Sequence, residues 1–213
     1  MWINISEITG LRIHLLFTIQ AVVSLLLLFF DYIATVINYY LEGLNVFDRD
    51  HNIPLHIAIR NQGPDELLKS LFLAFTDSTK VADKHGNLPL HLCCQYEVNF
   101  ALFMAILRAN VDAAAAANAY GLTPLHKACH FNASKEVISA LIFAHPAAVT
   151  TKDSKGNLPL HLLYFNFMHP PEKEVLQLLL QQYPHGLSIT NNSGCLPLMM
   201  MNRQDEKYAD EYL

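Results

Sequence analysis

Four Pro-Leu-His tripeptides begin at Pro54, Pro89, Pro124 and Pro159, a fixed spacing of 35 residues. A decayed copy, Pro197-Leu198-Met199, follows 38 residues after the fourth. A period between roughly 20 and 50 residues marks a stacked array: one supersecondary unit cannot bury its own apolar face, so its neighbours must cover it. The feature restricts the chain to a solenoid. It also favours an extended binding surface over a catalytic pocket.

Aligning the copies on their proline widens the pattern. Six residues upstream stand Asp48, Asp83, Asn118, Asp153 and Asn191, and three upstream stand His51, Gly86, Gly121, Gly156 and Gly194. Asp or Asn followed three residues later by Gly is turn chemistry, because the short side chain bonds nearby backbone and Gly accepts a positive φ. His51 breaks the glycine rule, which predicts a distorted first turn. Proline suits the first helical position, where its missing N–H is not needed. Thr123, just before Pro124, is a good N-cap, whereas Ile53, Leu88 and Leu158 cannot cap through their side chains.

Two short helices are predicted after each proline, in the third copy over Pro124–His130 and Lys135–Ala144, separated by Asn132-Ala133-Ser134. Val137, Ile138, Leu141 and Ile142 form an apolar stripe of helical period, repeated in Val175, Leu176, Leu179 and Leu180. An Asp/Asn-x-x-Gly-x-x-Pro-Leu-His turn leading into a helix pair resembles the ankyrin repeat family. The likeness is strongest at Tyr120-Gly121-Leu122-Thr123-Pro124-Leu125-His126, with Ala128 as the family's small residue.

The resemblance implies an all-α, helix-turn-helix solenoid with hairpin-like turns over residues 31–201. A partial repeat would occupy 31–47, full repeats would start near 48, 83, 118 and 153, and a truncated one near 191, followed by a polar tail at 202–213. The period departs from the family's roughly 33 residues. The two additional residues are placed in the connection after the second helix, where the run Ala113–Ala117 reads as a linker of small residues. The fourth repeat adds three more around His169-Pro170-Pro171.

His56, His91, His126 and His161 recur in register, which raises the question of metal. A zinc ion needs three or four ligands about 2 Å away. Equivalent residues of stacked repeats instead form a ladder with rungs about 10 Å apart, so no metal site is expected. The resemblance implies that each histidine hydrogen-bonds the backbone of the turn. With Pro54, Gly86, Pro89, Gly121, Thr123, Pro124, Gly156, Pro159, Gly194 and Pro197 they form the structural repeat motif.

Cys93, Cys94, Cys129 and Cys195 suggest no disulfide framework and read as buried thiols, which suits a reducing, cytosolic compartment. A net charge of −5 with 15% charged residues gives no basic face for nucleic acid. The sequence has no phosphate-binding Gly-rich loop, no Gly-x-Ser-x-Gly and no His-Glu-x-x-His. Catalytic residues, a cofactor and a small-molecule substrate are therefore not expected.

The first thirty residues are of another kind. From Ile13 to Phe30, fourteen of eighteen residues are apolar, with no Lys, Arg, Asp, Glu, Pro or Gly. Insertion of such a helix is favoured by about 4–8 kcal/mol before polar costs. The leading reading is a long apolar N-terminal helix that tethers the array to a membrane. Two alternatives stand beside it: a helix covered by a partner, and a faulty translated start. Asp31–Leu41 fits the second helix of a truncated first repeat.

These features point to a non-catalytic protein-interaction scaffold with an unidentified protein partner, tethered through residues 13–30 or else cytoplasmic. The alternative is an accessory ankyrin region of a larger enzyme or channel. Partner-binding residues are expected at the turn tips, Arg49, Asp50, Lys84, His85, Tyr120 and Lys155. Six residues after each proline the first helices add Arg60, Gln95, His130 and Phe165.

Overall fold

The protein is represented by a computed structural model that describes residues 47–165 and 172–202. The N-terminal segments 13–30 and 31–46, the insertion around His169 and the tail from 203 lie outside the described residues. Among the described residues no helix is long and apolar enough to cross a membrane.

The described residues form eight α-helices in pairs: α1 (Pro54–Arg60) with α2 (Asp65–Ala74), α3 (Pro89–Gln95) with α4 (Phe100–Ala109), α5 (Pro124–His130) with α6 (Lys135–Ala144), and α7 (Pro159–Leu163) with α8 (Lys173–Gln182). Each first helix starts on its proline, which supplies a preset φ where no N–H is required. Asn99 and Ser134 cap α4 and α6 by accepting the Ala101 and Val137 N–H groups. The fifth copy forms only a 3₁₀ helix, Pro197–Asn202. No strand occurs among the described residues.

First helices stack on first helices and second helices on second, so one continuous core runs from Ile53 to Met200. Leu55, Leu90, Leu125 and Leu160, each one residue after a proline, are all buried in it. On the second helices the helical period decides the buried face: Ile138, Leu141 and Ile142 are inside while Phe143 faces solvent.

The connections after the second helices are not loose linkers. Each winds into a 3₁₀ helix: Thr76–Lys80, Val111–Ala114, Pro146–Thr150 and Pro184–Ser188. The alanine run is therefore a linker only in part: Ala115 to Ala117 follow the 3₁₀ helix, with Ala115 and Ala117 exposed, whereas the first two alanines belong to it. Ala113 and Ala114 are buried in the core, where a larger side chain would not fit without displacing neighbours.

The first turn is not distorted. His51 takes φ 58°, close to the 76° of Gly86 and 74° of Gly121, and keeps the same bonds. Its N–H donates to Asp48 O at 3.1 Å, as Gly86 N–H donates to Asp83 O at 2.9 Å. Left-handed backbone is uncommon for a residue other than Gly, though histidine tolerates it better than most.

Candidate functional site

The turns form one edge of the array, held by two sets of bonds. The first is backbone to backbone. Lys84 N–H donates to Asp50 O (2.9 Å), Ala119 to His85 (2.9 Å), Ser154 to Tyr120 (3.1 Å) and Asn192 to Lys155 (3.0 Å), one bond across each seam between repeats.

The second set runs through the histidines. In each first helix the histidine Nδ1 accepts the N–H of the residue before proline, at 3.3 Å for His56, 3.2 Å for His91 and His126, and 3.1 Å for His161. The N–H groups of His91 and His161, which a capping side chain would otherwise accept, donate to the backbone O of Leu88 and Leu158 at 2.9 Å. Thr123 does not act as the expected side-chain cap; its Oγ1 lies 2.9 Å from His126 Nδ1. With Nδ1 accepting, the proton sits on Nε2, which donates at 3.1 Å to Leu122 O from His91, to Asn157 O from His126 and to Cys195 O from His161.

Both ring nitrogens of these three histidines are thus engaged, and no lone pair remains for a cation. Among the described residues no group of three His, Cys, Asp or Glu side chains is placed to hold a metal ion. Treating the protein with EDTA is expected to leave its melting temperature unchanged, since no binding free energy is lost. A drop on chelation, together with stoichiometric zinc in the untreated protein, would reverse that reading.

Burial lowers the pKa of each imidazolium, to about 4 for His56, His91 and His126, because the charged form is poorly solvated there. Burial also raises the thiols of Cys93, Cys94 and Cys129, which are protonated and poor nucleophiles at neutral pH.

Sequence reasoning missed a side-chain ladder beneath the tips. Asp83 accepts from the N–H groups of His85 and Asn87 and from Asn87 Nδ2, all within 3.0 Å. Asp48 and Asp153 do the same with Asn52 and Asn157. Where the partner position holds Leu122 or Cys195 instead, the turn residue is Asn118 or Asn191. Its amide then donates backwards across the seam, to Asn87 or Asn157, at 2.8 Å. The signal was present in the sequence as the paired alternation Asp…Asn and Asn…apolar.

Six of the ten expected binding residues are brought together with one another as cross-repeat pairs, and Arg60 and Gln95 meet other residues of the next repeat. Lys84 Nζ meets Asp50 at 2.9 Å. Tyr120 Oη lies 3.2 Å from His85 Nδ1, with the two rings stacked 6.0 Å apart. Arg60 forms an ion pair with Asp83. The His130 and Phe165 rings lie 5.3 Å apart. Gln95 Oε1 accepts from Lys127 Nζ at 3.0 Å. Arg49 is exposed and Lys155 half-buried on the same edge.

Lys127 was not anticipated. It stands where the other copies carry Ile57, Leu92 and Leu162, and that mismatch is its only sequence signal. It is buried over the Phe131 ring, at 5.4 Å from the ring centre. Burial brings its ammonium down to about 8, against which the Asp83 carboxylate acts in the opposite direction. For Asp83 itself, burial would raise the carboxyl. The hydrogen bonds from Asn87 and His85 and the Arg60 charge together hold it below the usual range.

At the opposite edge, between the loops that follow α3 and α5, lies a cleft of about 690 Å³. It is lined by Asp65, Glu97 and Glu172 over an apolar floor that includes Val98, Phe100 and Phe131. Among the described residues no histidine lines it.

Residues 55–153 match the family model described as ankyrin repeats (3 copies). No curated protein matches the chain.

Proposed function

Because the chain belongs to the ankyrin repeat family, we propose that it is a non-catalytic protein-interaction module that receives an unidentified protein partner along its turn tips and first helices. The observation that carries this is the division of labour within each repeat. The backbone bond between neighbouring turns recurs at every seam, while the tip and first-helix positions change: Arg60, Gln95, His130 and Phe165 are a cation, an amide, an imidazole and a phenyl ring at one register. Fold alone does not supply a function, and a surface that varies over a constant scaffold is where specificity resides.

The tips combine cations with an aromatic residue. Cross-repeat pairing holds Lys84, His85 and Tyr120 in place before a partner arrives, which lowers the ordering cost of binding. Residues 13–30 would tether the module to a membrane, supported by their run of apolar side chains.

The test is affinity capture with the full chain in mild detergent, set against a variant carrying Lys84→Ala, Tyr120→Ala and Lys155→Ala. A partner held by the parent and lost by the variant, at equal melting temperature, supports the reading. Identical capture by both would remove the turn tips from consideration.

A further inference from the structure

The seam between the first two repeats differs from the others in the kind of bond that closes it. At the later seams His91, His126 and His161 each donate Nε2–H to a turn carbonyl of the next repeat. His56 Nε2 is buried and makes no such bond across its seam; the backbone of Val81, in the connection after α2, is its polar neighbour. The amide ladder is also broken there. Asn118 and Asn191 donate to the Oδ1 of Asn87 and Asn157, but the residue facing Asn52 is Asp83, whose carboxylate has no proton to donate. Asn52 Oδ1 is accordingly buried without a partner, and Ser78 Oγ, in the connection after α2, is another such atom. A buried polar group left unsatisfied destabilises the state that buries it. The third and fourth repeats avoid the problem differently, with Leu122 and Leu162 packed together where a ladder rung would stand.

In place of the histidine bond and the amide rung, the first seam carries two cross-repeat ion pairs beside its backbone bond. Arg60 meets Asp83, with the arginine side chain 28% exposed and the aspartate fully buried, and Lys84 meets Asp50, with both side chains nearly half exposed. Salt screens an ion pair to the extent that it reaches solvent, which here holds for Lys84–Asp50 and for the arginine side of Arg60–Asp83, whereas buried neutral hydrogen bonds are not screened.

We propose that this seam is a salt-sensitive latch. The first repeat, with α1 and α2, separates from the array as ionic strength rises, while the α3–α8 stack stays closed. Repeat arrays permit this because each unit contacts only its neighbours, so one seam opens without the others. Opening uncovers the face of α3 that α1 covers.

Amide hydrogen exchange on the full chain reads each seam separately. The α1 amides of Ala58 and Ile59 should exchange about tenfold faster than those of Ala128 and Cys129 in α5. Raising NaCl from about 0.05 M to about 1 M should accelerate the α1 amides by about threefold or more and leave α5 unchanged. Simple fraying of an array end would show the first difference without the second.

A double variant, Asp48→Asn with Asn52→Leu, imposes the third repeat's own turn pair on the first and removes the orphaned acceptor. It should slow α1 exchange about fivefold, which a generic fraying end would not explain. Exchange in α1 that ignores salt, that matches α5, or that is unmoved by this double variant would each overturn the latch. Arg60→Met gives a further check: it should raise α1 exchange at low salt and weaken its salt response. A salt response as large as the parent's would count against the Arg60–Asp83 pair as its source.

Discussion

Acidification from pH 7 to about 4.5 is expected to unfold the array, with the histidines as the cause. An imidazole ordinarily takes up a proton near pH 6.5, but His56, His91, His126 and His130 do so only at about 4 in the folded protein, because burial penalises the charged ring. Between those values the unfolded chain binds more protons than the folded one, so stability falls as the pH falls. It is fully present above about 6.5, declines through the window and loses nothing further from these groups below about 4.

Each histidine contributes about 1.4 kcal/mol per pH unit across that window, and four together give on the order of 5 kcal/mol per unit. Total stabilities of natural domains are about 5–15 kcal/mol. Asp83 acts in a different range. Its folded carboxyl lies below the ordinary value, so its contribution is present above about 3.9 and is lost only as the pH drops further. Urea unfolding at a series of pH values measures the slope. A midpoint that barely moves between pH 7 and 5 would mean that these rings are not buried as neutral donors and acceptors.

Gly121→Ala is expected to lower stability by about 2–5 kcal/mol, which combines left-handed backbone strain with a collision. The added Cβ would lie 2.7 Å from Ser154 N and 3.1 Å from Asp153 C. Those atoms belong to the next repeat's turn, and Ser154 N–H is the donor to Tyr120 O, so the clash cannot be relieved by rotating a side chain. Gly194 provides the control. Its φ of 73° is nearly the same, yet nothing lies within 4 Å of the point where an alanine methyl would stand, so Gly194→Ala should carry only the backbone strain of about 1–2 kcal/mol. Equal losses for the two variants in denaturant titrations would show that neighbouring turns do not approach each other this closely.

Much of the architecture was written in the residues. The helices α5 and α6 run over Pro124–His130 and Lys135–Ala144, the spans expected from proline at the first position and from apolar spacing. Local chemistry decides such elements: proline fixes φ, Gly121 admits a positive φ, and Asp or Asn closes the turn through bonds two to four residues away. The register of the repeats, the family and the buried leucine after each proline follow from the same short-range pattern.

Other features needed the neighbouring repeat. Ala113 and Ala114 could sit in a linker or a helix on their own preferences; the core beside them winds them into 3₁₀ and buries them. The tip residues Asp50 and Lys84, or His85 and Tyr120, are 34 and 35 residues apart in the chain, and only stacking makes them partners. Lys127 breaks the apolar pattern of its position, and its burial against Gln95 and Phe131 depends on what the second repeat and the end of α5 present to it. The repeat and its turns are legible in the residues, because those rest on backbone chemistry within a few positions. The tertiary structure alone decided how well each seam is satisfied, since a donor in one repeat meets its acceptor only in the next.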